Sequence, residues 1–424
     1  YSIDRTRTKG IDLPFVIFPE STNELATIIK IAYETKQPLM ASGGRTGYSG
    51  GAVVNSNEAV ISFEKMNRLL GFDPYLPAIK VGAGMTTRQV QQFATDYSLY
   101  FPVDFASADS SQIGGNLATN AGGIRVFRYG SLRHYVIGLT AVDGRGRILH
   151  FSDLIKDNTG YDLKQLLIGS EGTLAFISEV TLKLISPPPP TKVALLSFAN
   201  FESLLKTLAQ LRTFDLYAFE FFDSNCLTLV CNFHSIPSPF QQQEKSKYYA
   251  LIEYADTLDD EKLLSVPAIE VLLTNQNHKF WIYRESISEA LSISGLAHKN
   301  DVSVPINQLK KYIDELIEIK NRLISNKAKL FLFGHIADGN IHVNLLWPKT
   351  TDANECSDLN NHFDLQSYQL LSKLSGSVSA EHGIGQLKRQ FLTFSKTESE
   401  IEIMKSIKAS FDPANILNKG RIFL

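Results

Sequence analysis

The chain has 424 residues, 44% of them hydrophobic and 20% charged, so it can bury two or three hydrophobic cores as an ordinary globular protein. Its 42 lysines and arginines nearly balance 44 aspartates and glutamates, which excludes a global charge that would attract nucleic acid or an anionic membrane. The three cysteines, Cys226, Cys231 and Cys356, lack CxxC spacing and predict a reducing compartment with buried rather than catalytic thiols.

The first third of the chain predicts an α+β unit with a mixed sheet. Residues 21–24 form a capping box in front of a periodic apolar run over residues 25–33, which is typical of a helix. Residues 136–151 alternate around the dipeptide Asp143-Gly144 as a hairpin does. Further strands are predicted at residues 37–40, 52–63 and 78–81.

Four consecutive prolines at residues 187–190 mark the boundary of a second unit, because proline is excluded from helix interiors and central strands. Beyond them, strands alternate with amphipathic helices at residues 201–211 and 306–323, which predicts an antiparallel sheet covered by helices. We therefore expect a first domain over residues 1–186, a second α+β domain over residues 191–375 and a C-terminal segment over residues 376–424.

Two glycine-rich segments, residues 42–51 and 113–123, predict a phosphate cradle in the first domain. Glycine lets backbone N–H groups approach a phosphate with no Cβ in the way, and two such loops suit a pyrophosphate. A single glycine-rich turn is more often only a turn. The chain contains no GxxxxGK[ST] loop and no GxGxxG between a strand and a helix, so an NTPase and a nicotinamide enzyme are both disfavoured.

Residues 330–344 have two apolar arms around Asp338-Gly339, a strong signal for a two-residue hairpin. Counting outward from this turn pairs His335 with His342 on one face, and Asn344 points to the same face. Two imidazoles in this position can share a cation. A pair of half-buried hairpin histidines bonded to the backbone explains the pattern equally well, so a third ligand is needed to decide.

A third candidate ligand is Glu381, which lies in the glycine-containing segment 379–385 beside His382. The neighbouring glycines allow close approach to a cofactor, and the carboxylate is a suitable oxygen ligand. A Glu-His-Gly triplet means little by itself. If the three residues do form a set, two imidazoles, one carboxylate and an open position best suit zinc, with manganese or another divalent ion as the alternative.

A third polar group consists of Arg284, Ser288 and Lys299. The first two are four residues apart and share a face if residues 280–292 form a helix. Arginine on a helix is usually a solvated surface charge. A guanidinium can also grip a carboxylate through two hydrogen bonds while a lysine adds a point charge.

The two glycine-rich loops, with Arg128-Tyr129-Gly130 and the segment 169–174, resemble the vanillyl-alcohol-oxidase-type (PCMH-type) FAD domain. Across essentially its whole length the chain resembles the FAD-linked D-2-hydroxy acid dehydrogenases, which include D-lactate, glycolate and D-2-hydroxyglutarate enzymes. The resemblance implies an α+β FAD-binding domain, an α+β substrate cap domain and a C-terminal segment that returns to the FAD domain. The residues it implies to bind FAD are Ser42, Gly43, Gly44, Arg45, Thr46, Gly47, Gly50, Gly51, Gly114, Gly115, Asn116, Thr119, Asn120, Gly122, Gly123, Glu179, Val180 and Asn418.

The same resemblance assigns roles to the polar residues. Its implied metal ligands are His335, His342 and Glu381, its implied catalytic base is His382, and its implied substrate-binding residues are Arg284, Ser288 and Lys299. Asn344, on the same face as the two histidines, is a further candidate for substrate binding. The implied reaction is metal-assisted hydride transfer from a D-2-hydroxy acid, such as D-2-hydroxyglutarate or D-lactate, to FAD, giving the 2-oxo acid. We expect FAD to be held without a covalent bond, because neither glycine-rich loop contains histidine or cysteine.

Two other functions are compatible with these motifs: a FAD-dependent oxidase of another alcohol or sugar on the same scaffold, and a binding protein without redox activity. For a dehydrogenase, we expect a quinone, a cytochrome or an electron-transfer flavoprotein as electron acceptor and no nucleic-acid partner, and the sequence leaves a homodimer open.

No apolar run approaches the roughly 18 residues that cross a bilayer, and the first residues do not resemble a signal peptide. We therefore expect a soluble protein in the cytoplasm, including one bound at the periphery of a membrane, or in the mitochondrion of a eukaryote. The chain begins at Tyr1 without a methionine, and we expect a targeting or other segment upstream of it in the precursor.

Overall fold

The computed structural model describes residues 1, 3–6, 15–55, 57–257, 260–274, 276 and 278–423. Among these residues, no helix has both the length and the apolar character that a membrane span requires. The chain forms two compact units. Unit 1 contains residues 1–123, 129–187 and 381–424, and unit 2 contains residues 124–128 and 188–380.

The last boundary between the units lies five residues beyond the predicted start of the C-terminal segment at residue 376. The backbones of Ser303 and Ser377 exchange hydrogen bonds of 3.1 and 2.8 Å, and these bonds hold the segment before Glu381 against a strand of unit 2. A short segment, residues 124–128, also belongs to unit 2 rather than to the first domain.

Unit 1 contains a small parallel sheet and a larger antiparallel sheet. Its strands are β1 (Val16–Ile17), β2 (Leu39–Ser42), β3 (Ala59–Ser62), β4 (Leu69–Asp73), β5 (Ala78–Gly82), β6 (Val136–Asp143), β7 (Ile148–Phe151) and β8 (Ala175–Lys183). Its helices are α1 (Thr22–Thr35), α2 (Thr87–Asp96), α3 (Ile113–Thr119), α5 (Lys164–Leu167) and α13 (Glu398–Phe411), while α4 (Val126–Tyr129) begins in unit 2 and ends in unit 1.

The parallel sheet has the order β1-β3-β2, and the antiparallel sheet has the order β4-β5-β8-β6-β7. The prediction of one mixed sheet is therefore wrong. The helical crossover through α1 accompanies parallel pairing in one sheet, while the other sheet contains the hairpins β4-β5 and β6-β7 and is antiparallel throughout. The predicted hairpin around Asp143 is confirmed as β6 and β7. Helix α1 begins as predicted, with Ser21 at its N-cap accepting the Glu24 N–H. The second half of the predicted capping box is absent, because the Glu24 carboxylate accepts the Glu20 N–H rather than that of Ser21.

The predicted strand over residues 52–63 is shorter in the structure, because only β3 is extended there. A turn in which the Glu58 N–H donates to Asn55 interrupts the segment, and residue 56 lies outside the described residues. A core packed between α1 and the parallel sheet continues through Phe63, Ala83 and Phe176 toward the glycine-rich loops. Buried apolar side chains therefore pack against the base of the two glycine-rich loops.

Unit 2 is a seven-stranded antiparallel sheet covered by helices, as predicted. Its strands are β9 (Thr191–Phe198), β10 (Leu216–Asp223), β11 (Tyr248–Ala255), β12 (Glu270–Thr274), β13 (Leu296–Ser303), β14 (Lys329–His335) and β15 (Asn340–Trp347), in the order β12-β9-β11-β10-β14-β15-β13. Its helices are α6 (Phe201–Leu211), α7 (Ser224–His234), α8 (Asp260–Leu264), α9 (His278–Glu285), α10 (Ile287–Ser294), α11 (Leu309–Leu323) and α12 (Ala353–Lys373).

The predicted hairpin of β14 and β15 is present, but its predicted register is wrong. His342 pairs with Phe333 rather than with His335. The dipeptide Asp338-Gly339 does not form a two-residue turn, because residues Ile336–Asp338 make a turn of 3-10 helix and Gly339 follows at φ 76°. The shift is two residues, and since side chains alternate with a period of two, both histidines remain on one face.

Candidate active site

A cavity in unit 1 is lined by the glycine-rich loops and by three later segments. Counting its opening to solvent, its empty volume is about 1010 Å³. The lining residues are Ala41, Gly43, Gly44, Arg45, Thr46, Gly47, Ser49, Gly51, Ala52, Phe63, Ala83, Gln112, Gly114, Gly115, Asn116, Ala118, Thr119, Leu167, Ser170, Glu171, Gly172, Ala175, Phe176, Ile177, His382 and Asn418. A pocket of this size and mixed lining is suited to a large cofactor.

Two features of the cavity wall fit a bound flavin nucleotide. A Cβ added at Gly115 would meet no described heavy atom within 4 Å, so this backbone faces open space in which a phosphate or ring can approach. The side-chain Oε1 of Gln112 is buried without a hydrogen-bond partner among the described residues. This orphaned acceptor can be satisfied by an N–H or O–H group of a ligand.

His382 enters the cavity from the segment that follows Glu381. The Glu171 carboxylate accepts the N–H groups of Ile384 and Gly385, each at 2.7 Å, and so holds this segment against the turn at residue 171. Burial raises the pKa of Glu171, while the two N–H groups act in the opposite direction. The imidazole of His382 lies against the ring of Tyr48, with 5.0 Å between ring centroids.

Unit 2 has a row of polar side chains on one face of its sheet. Strand pairing places Glu220 opposite His335 and places His342 opposite Asp301. The His335 Nδ1 lies 2.6 Å from Glu220 Oε1, and the His342 Nδ1 lies 3.5 Å from Asp301 Oδ1. Both carboxylates are completely buried.

The two imidazoles fit a shared cation. Their ring centroids are 5.5 Å apart, and one nitrogen of each ring lies within 4.8 Å of a nitrogen of the other. Two imidazoles bound to one zinc ion at a tetrahedral angle have ring centres about 5 Å apart, given Zn–N bonds of about 2.0–2.1 Å. Because each Nδ1 faces a carboxylate, a cation would be bound through Nε2. Glu381, the third implied ligand, directly follows the last residue of unit 2 and belongs to unit 1.

Arg284 is buried at the end of α9, so it is not the solvated surface charge that an arginine on a helix usually is. Its Nη2 lies 2.7 Å from Glu220 Oε2, and its guanidinium lies over the Phe333 ring at 4.9 Å. The Arg284 Nε has no hydrogen-bond partner among the described residues. The guanidinium is thus adjacent to the histidine pair through Glu220 and keeps one buried donor for a ligand.

Residues 280–292 do not form the single predicted helix, because Ser286 separates α9 from α10. Ser288 is exposed on α10, and its backbone carbonyl, rather than its hydroxyl, accepts a hydrogen bond of 3.3 Å from Lys299 Nζ. Lys299 is opposite Asn344 in the sheet. Asn344 is buried, and its Nδ2 has no partner among the described residues.

Comparison with known proteins identifies the family. Residues 14–152 match the FAD binding domain, and residues 187–422 match the C-terminal domain of the FAD linked oxidases. The chain is 39% identical to the D-2-hydroxyglutarate dehydrogenase of Stutzerimonas stutzeri, over 96% of the chain and 90% of that protein. It is 34% identical to the mitochondrial D-2-hydroxyglutarate dehydrogenase of Danio rerio, over 98% of the chain and 80% of that protein. This chain belongs to the FAD-linked D-2-hydroxy acid dehydrogenase family.

The protein is therefore a FAD-dependent enzyme that acts on CH–OH donors. Its fold is similar to alkyldihydroxyacetonephosphate synthase, with a TM-score of 0.71 over 95% of the chain and 75% of that protein at 16% identity. This likeness and the FAD binding domain confirm the predicted vanillyl-alcohol-oxidase-type architecture.

Most of the residues that the resemblance implied for FAD line the cavity of this dehydrogenase. Those that do are Gly43, Gly44, Arg45, Thr46, Gly47, Gly51, Gly114, Gly115, Asn116, Thr119 and Asn418. Those that do not are Ser42, Gly50, Asn120, Gly122, Gly123, Glu179 and Val180. The Glu179 carboxylate instead lies 3.3 Å from Lys80 Nζ and accepts the Thr22 hydroxyl, while Val180 is in the core of unit 1.

Arg45 lies in the first glycine-rich loop. Its backbone adopts φ 56°, in the left-handed region that favours glycine. Its guanidinium lies 3.5 Å from Glu64 and 4.4 Å from the centre of the Tyr1 ring. The arginine therefore lines the cavity with its charge directed at these two side chains.

Sequence reasoning missed four polar residues that the structure brings into the site regions: Glu171, Gln112, Glu220 and Asp301. The first lies in the segment 169–174, whose two glycines around a carboxylate were a usable signal. Glu220 lies among the apolar residues of β10, and a charged residue in such a stretch is almost never buried unless it is paired, so this residue could have drawn attention. Asp301 lies in a polar stretch of β13 and gave no such signal, and the sequence reveals the histidine partner of neither.

Proposed function

We propose that the enzyme oxidises a D-2-hydroxy acid to the 2-oxo acid, with D-2-hydroxyglutarate as the first candidate and D-lactate as the second. Relatives that match the chain over nearly its whole length are named D-2-hydroxyglutarate dehydrogenase. The structural observation that carries the proposal is the pair of buried donors without partners, Arg284 Nε and Asn344 Nδ2, beside the two histidines. Such donors are suited to substrate carboxylate and hydroxyl oxygens.

In this proposal, unit 2 binds and orients the acid. Arg284 and Asn344 donate to its oxygens, and Lys299 contributes a positive charge on the same sheet face. His335 and His342, with Glu381 as third ligand, would hold a divalent cation, zinc or manganese. That cation, when bound, supplies Lewis-acid polarisation of the substrate hydroxyl.

Unit 1 contributes the redox cofactor and the base. The cavity residues would hold FAD without a covalent bond, and bound FAD supplies the hydride acceptor. His382 accepts the hydroxyl proton as general base at an imidazole nitrogen. Glu171 keeps the backbone next to this histidine in place through the Ile384 and Gly385 N–H groups.

The electrons then leave to a quinone, a cytochrome or an electron-transfer flavoprotein. Eukaryotic relatives are named as mitochondrial proteins, and we propose the mitochondrion for this chain if its source is a eukaryote. Otherwise we propose the cytoplasm or the periphery of a membrane.

An anaerobic titration of the purified holoenzyme tests the proposal. We expect D-2-hydroxyglutarate to bleach the visible flavin absorbance, D-lactate to do so more weakly, and L-2-hydroxyglutarate to leave it unchanged. Glycolate and D-malate complete the series of acids. If none of these acids bleaches a yellow, folded protein, the proposed reaction is wrong although the fold stands.

The same titration with His382→Ala tests the general base. We expect the rate of flavin reduction to fall by about 10²- to 10⁴-fold. The FAD-to-protein ratio of the variant is measured first, because His382 also lines the cavity. His362→Ala, at an exposed histidine of α12, is the matched control. A loaded His382→Ala enzyme with the wild-type rate would contradict the proposed role.

A further inference from the structure

We propose that Glu220 and Asp301 are positioning residues that orient His335 and His342 toward a divalent cation. The inference rests on the metal site of the proposed function. Glu220 comes from β10 and Asp301 from β13, the strands next to the hairpin of β14 and β15 on either side. The two carboxylates therefore flank the histidine pair across four neighbouring strands.

Glu220 makes the shorter contact. Its Oε1 lies 2.6 Å from the His335 Nδ1, and its Oε2 lies 2.7 Å from the Arg284 Nη2. The carboxylate is thus held from both sides and cannot turn away from the imidazole without losing a buried ion pair. In this position it accepts the Nδ1–H of His335 and sets the direction in which Nε2 points.

Asp301 makes the longer contact. Its Oδ1 lies 3.5 Å from the His342 Nδ1 and accepts a hydrogen bond of 2.6 Å from the Asn340 side chain. A separation of 3.5 Å is at the outer limit of a hydrogen bond, so this carboxylate acts on its histidine more weakly than Glu220 does.

Both histidines face their carboxylate with the same nitrogen, Nδ1. A carboxylate at Nδ1 selects the tautomer that leaves the Nε2 lone pair for a metal, and its negative charge makes that nitrogen a better ligand. A purely structural role does not require both histidines to use the same nitrogen, since a histidine can accept or donate through either nitrogen.

A third histidine–carboxylate pair in unit 2 provides an internal contrast. His298 lies on β13 three residues before Asp301 and therefore on the opposite face of the sheet. It uses Nε2, which lies 2.8 Å from the Asp364 carboxylate of α12. Asp364 also accepts a hydrogen bond from Asn300, so this pair belongs to the contact between sheet and helix.

The experiment measures metal binding directly in the full-length holoenzyme after chelation. Zn²⁺ affinity is measured by competition with a chelator, and Co²⁺ binding is followed by its visible ligand-field absorption, which reports coordination geometry. We expect Glu220→Gln to raise the Zn²⁺ dissociation constant by about 10- to 100-fold and Asp301→Asn by less than about 10-fold. We expect both variants to change the Co²⁺ spectrum.

Asp364→Asn is the matched control, since it removes a histidine partner on the other face of the same sheet. We expect wild-type Zn²⁺ affinity and an unchanged Co²⁺ spectrum for it. If Glu220→Gln does not fold, as circular dichroism will show, Asp301→Asn alone decides, because it leaves the ion pair of Arg284 intact.

The two possible failures are distinguishable. Wild-type protein that binds neither Zn²⁺ nor Co²⁺ would overturn both the proposed metal site and this inference. Wild-type protein that binds the metal, with equal affinity and spectrum in the folded carboxylate variants, would overturn this inference alone.

Discussion

At the residue scale, glycine has two different roles in the loops of unit 1. A Cβ at Gly44 would lie 2.0 Å from the Ser110 carbonyl oxygen, so this glycine allows two backbone segments to pack closely. A Cβ at Gly115 would project into open space at the cavity wall. The first glycine therefore serves the fold, and the second leaves room for the cofactor.

This difference predicts opposite effects for two alanine substitutions. Gly44→Ala should lower the midpoint of urea unfolding, because the loop must move away from residue 110. Gly115→Ala should keep or slightly raise the midpoint, since alanine favours the helix α3 by up to about 1 kcal/mol, but should weaken FAD binding. Urea titration and FAD retention on gel filtration measure the two effects. Equal behaviour of the two variants in both measurements would contradict the assignment.

At the element scale, the buried carboxylate of Asp223 joins a helix to a strand. It caps α7 by accepting the Cys226 N–H at 2.9 Å, and it accepts the Leu332 N–H of β14 at 3.0 Å. Burial raises the pKa of Asp223 from 3.8 to about 6, although these N–H groups act in the opposite direction. Strand β14, which carries His335, is therefore hydrogen-bonded to a carboxyl group whose pKa is raised to about 6.

The sign of the resulting pH dependence follows from this raised pKa. In the folded state Asp223 holds its proton to higher pH than in the unfolded state, so its stabilising contribution is complete below about pH 4 and is lost as the pH rises through 6. The difference in unfolding free energy between wild type and Asp223→Asn should fall by up to about 3 kcal/mol from pH 4 to pH 7.

Urea unfolding of both proteins at several pH values between 4 and 7 measures this difference. Asp352→Asn, at the exposed N-cap of α12, controls for the general effect of acid on the chain. A difference that stays constant or increases with pH would refute the role assigned to the buried carboxylate.

At the scale of the whole molecule, the cavity and the histidine pair belong to different units. All residues that line the cavity belong to unit 1, whereas His335 and His342 belong to unit 2. The C-terminal segment from Glu381 onward completes unit 1, with His382 and Asn418 in the cavity wall. Binding of FAD and binding of a metal are therefore expected to be separable.

We expect a chelator to abolish flavin bleaching by the substrate while the FAD-to-protein ratio stays unchanged. The reason is that the cavity contains neither histidine of the pair. Visible spectra before and after dialysis against the chelator, with and without D-2-hydroxyglutarate, measure both quantities. Added Zn²⁺ or Mn²⁺ should restore bleaching. Loss of FAD together with the metal would argue against separate sites.

Local sequence patterns alone were sufficient to predict several features of the fold and of the candidate site. The helix Phe201–Leu211 has its predicted bounds, because its apolar period and its cap lie within the same few residues. Residue type and spacing also indicated the glycine-rich loops, which contribute to the cavity wall, and the two histidines, which lie on one face of the sheet. The domains and the roles of single residues came from the resemblance, and the metal and substrate roles remain predictions.

Only the tertiary structure decided how distant residues meet. Glu220 reaches His335 across 115 positions of sequence, and Glu171 reaches Ile384 across 213. The turn at Gly339 moved the hairpin register by two residues, which changed the partner of His342 but not its face. Such contacts depend on strand order and on the packing of whole elements. A local pattern specifies which side chain is available, whereas the fold specifies which partner it meets.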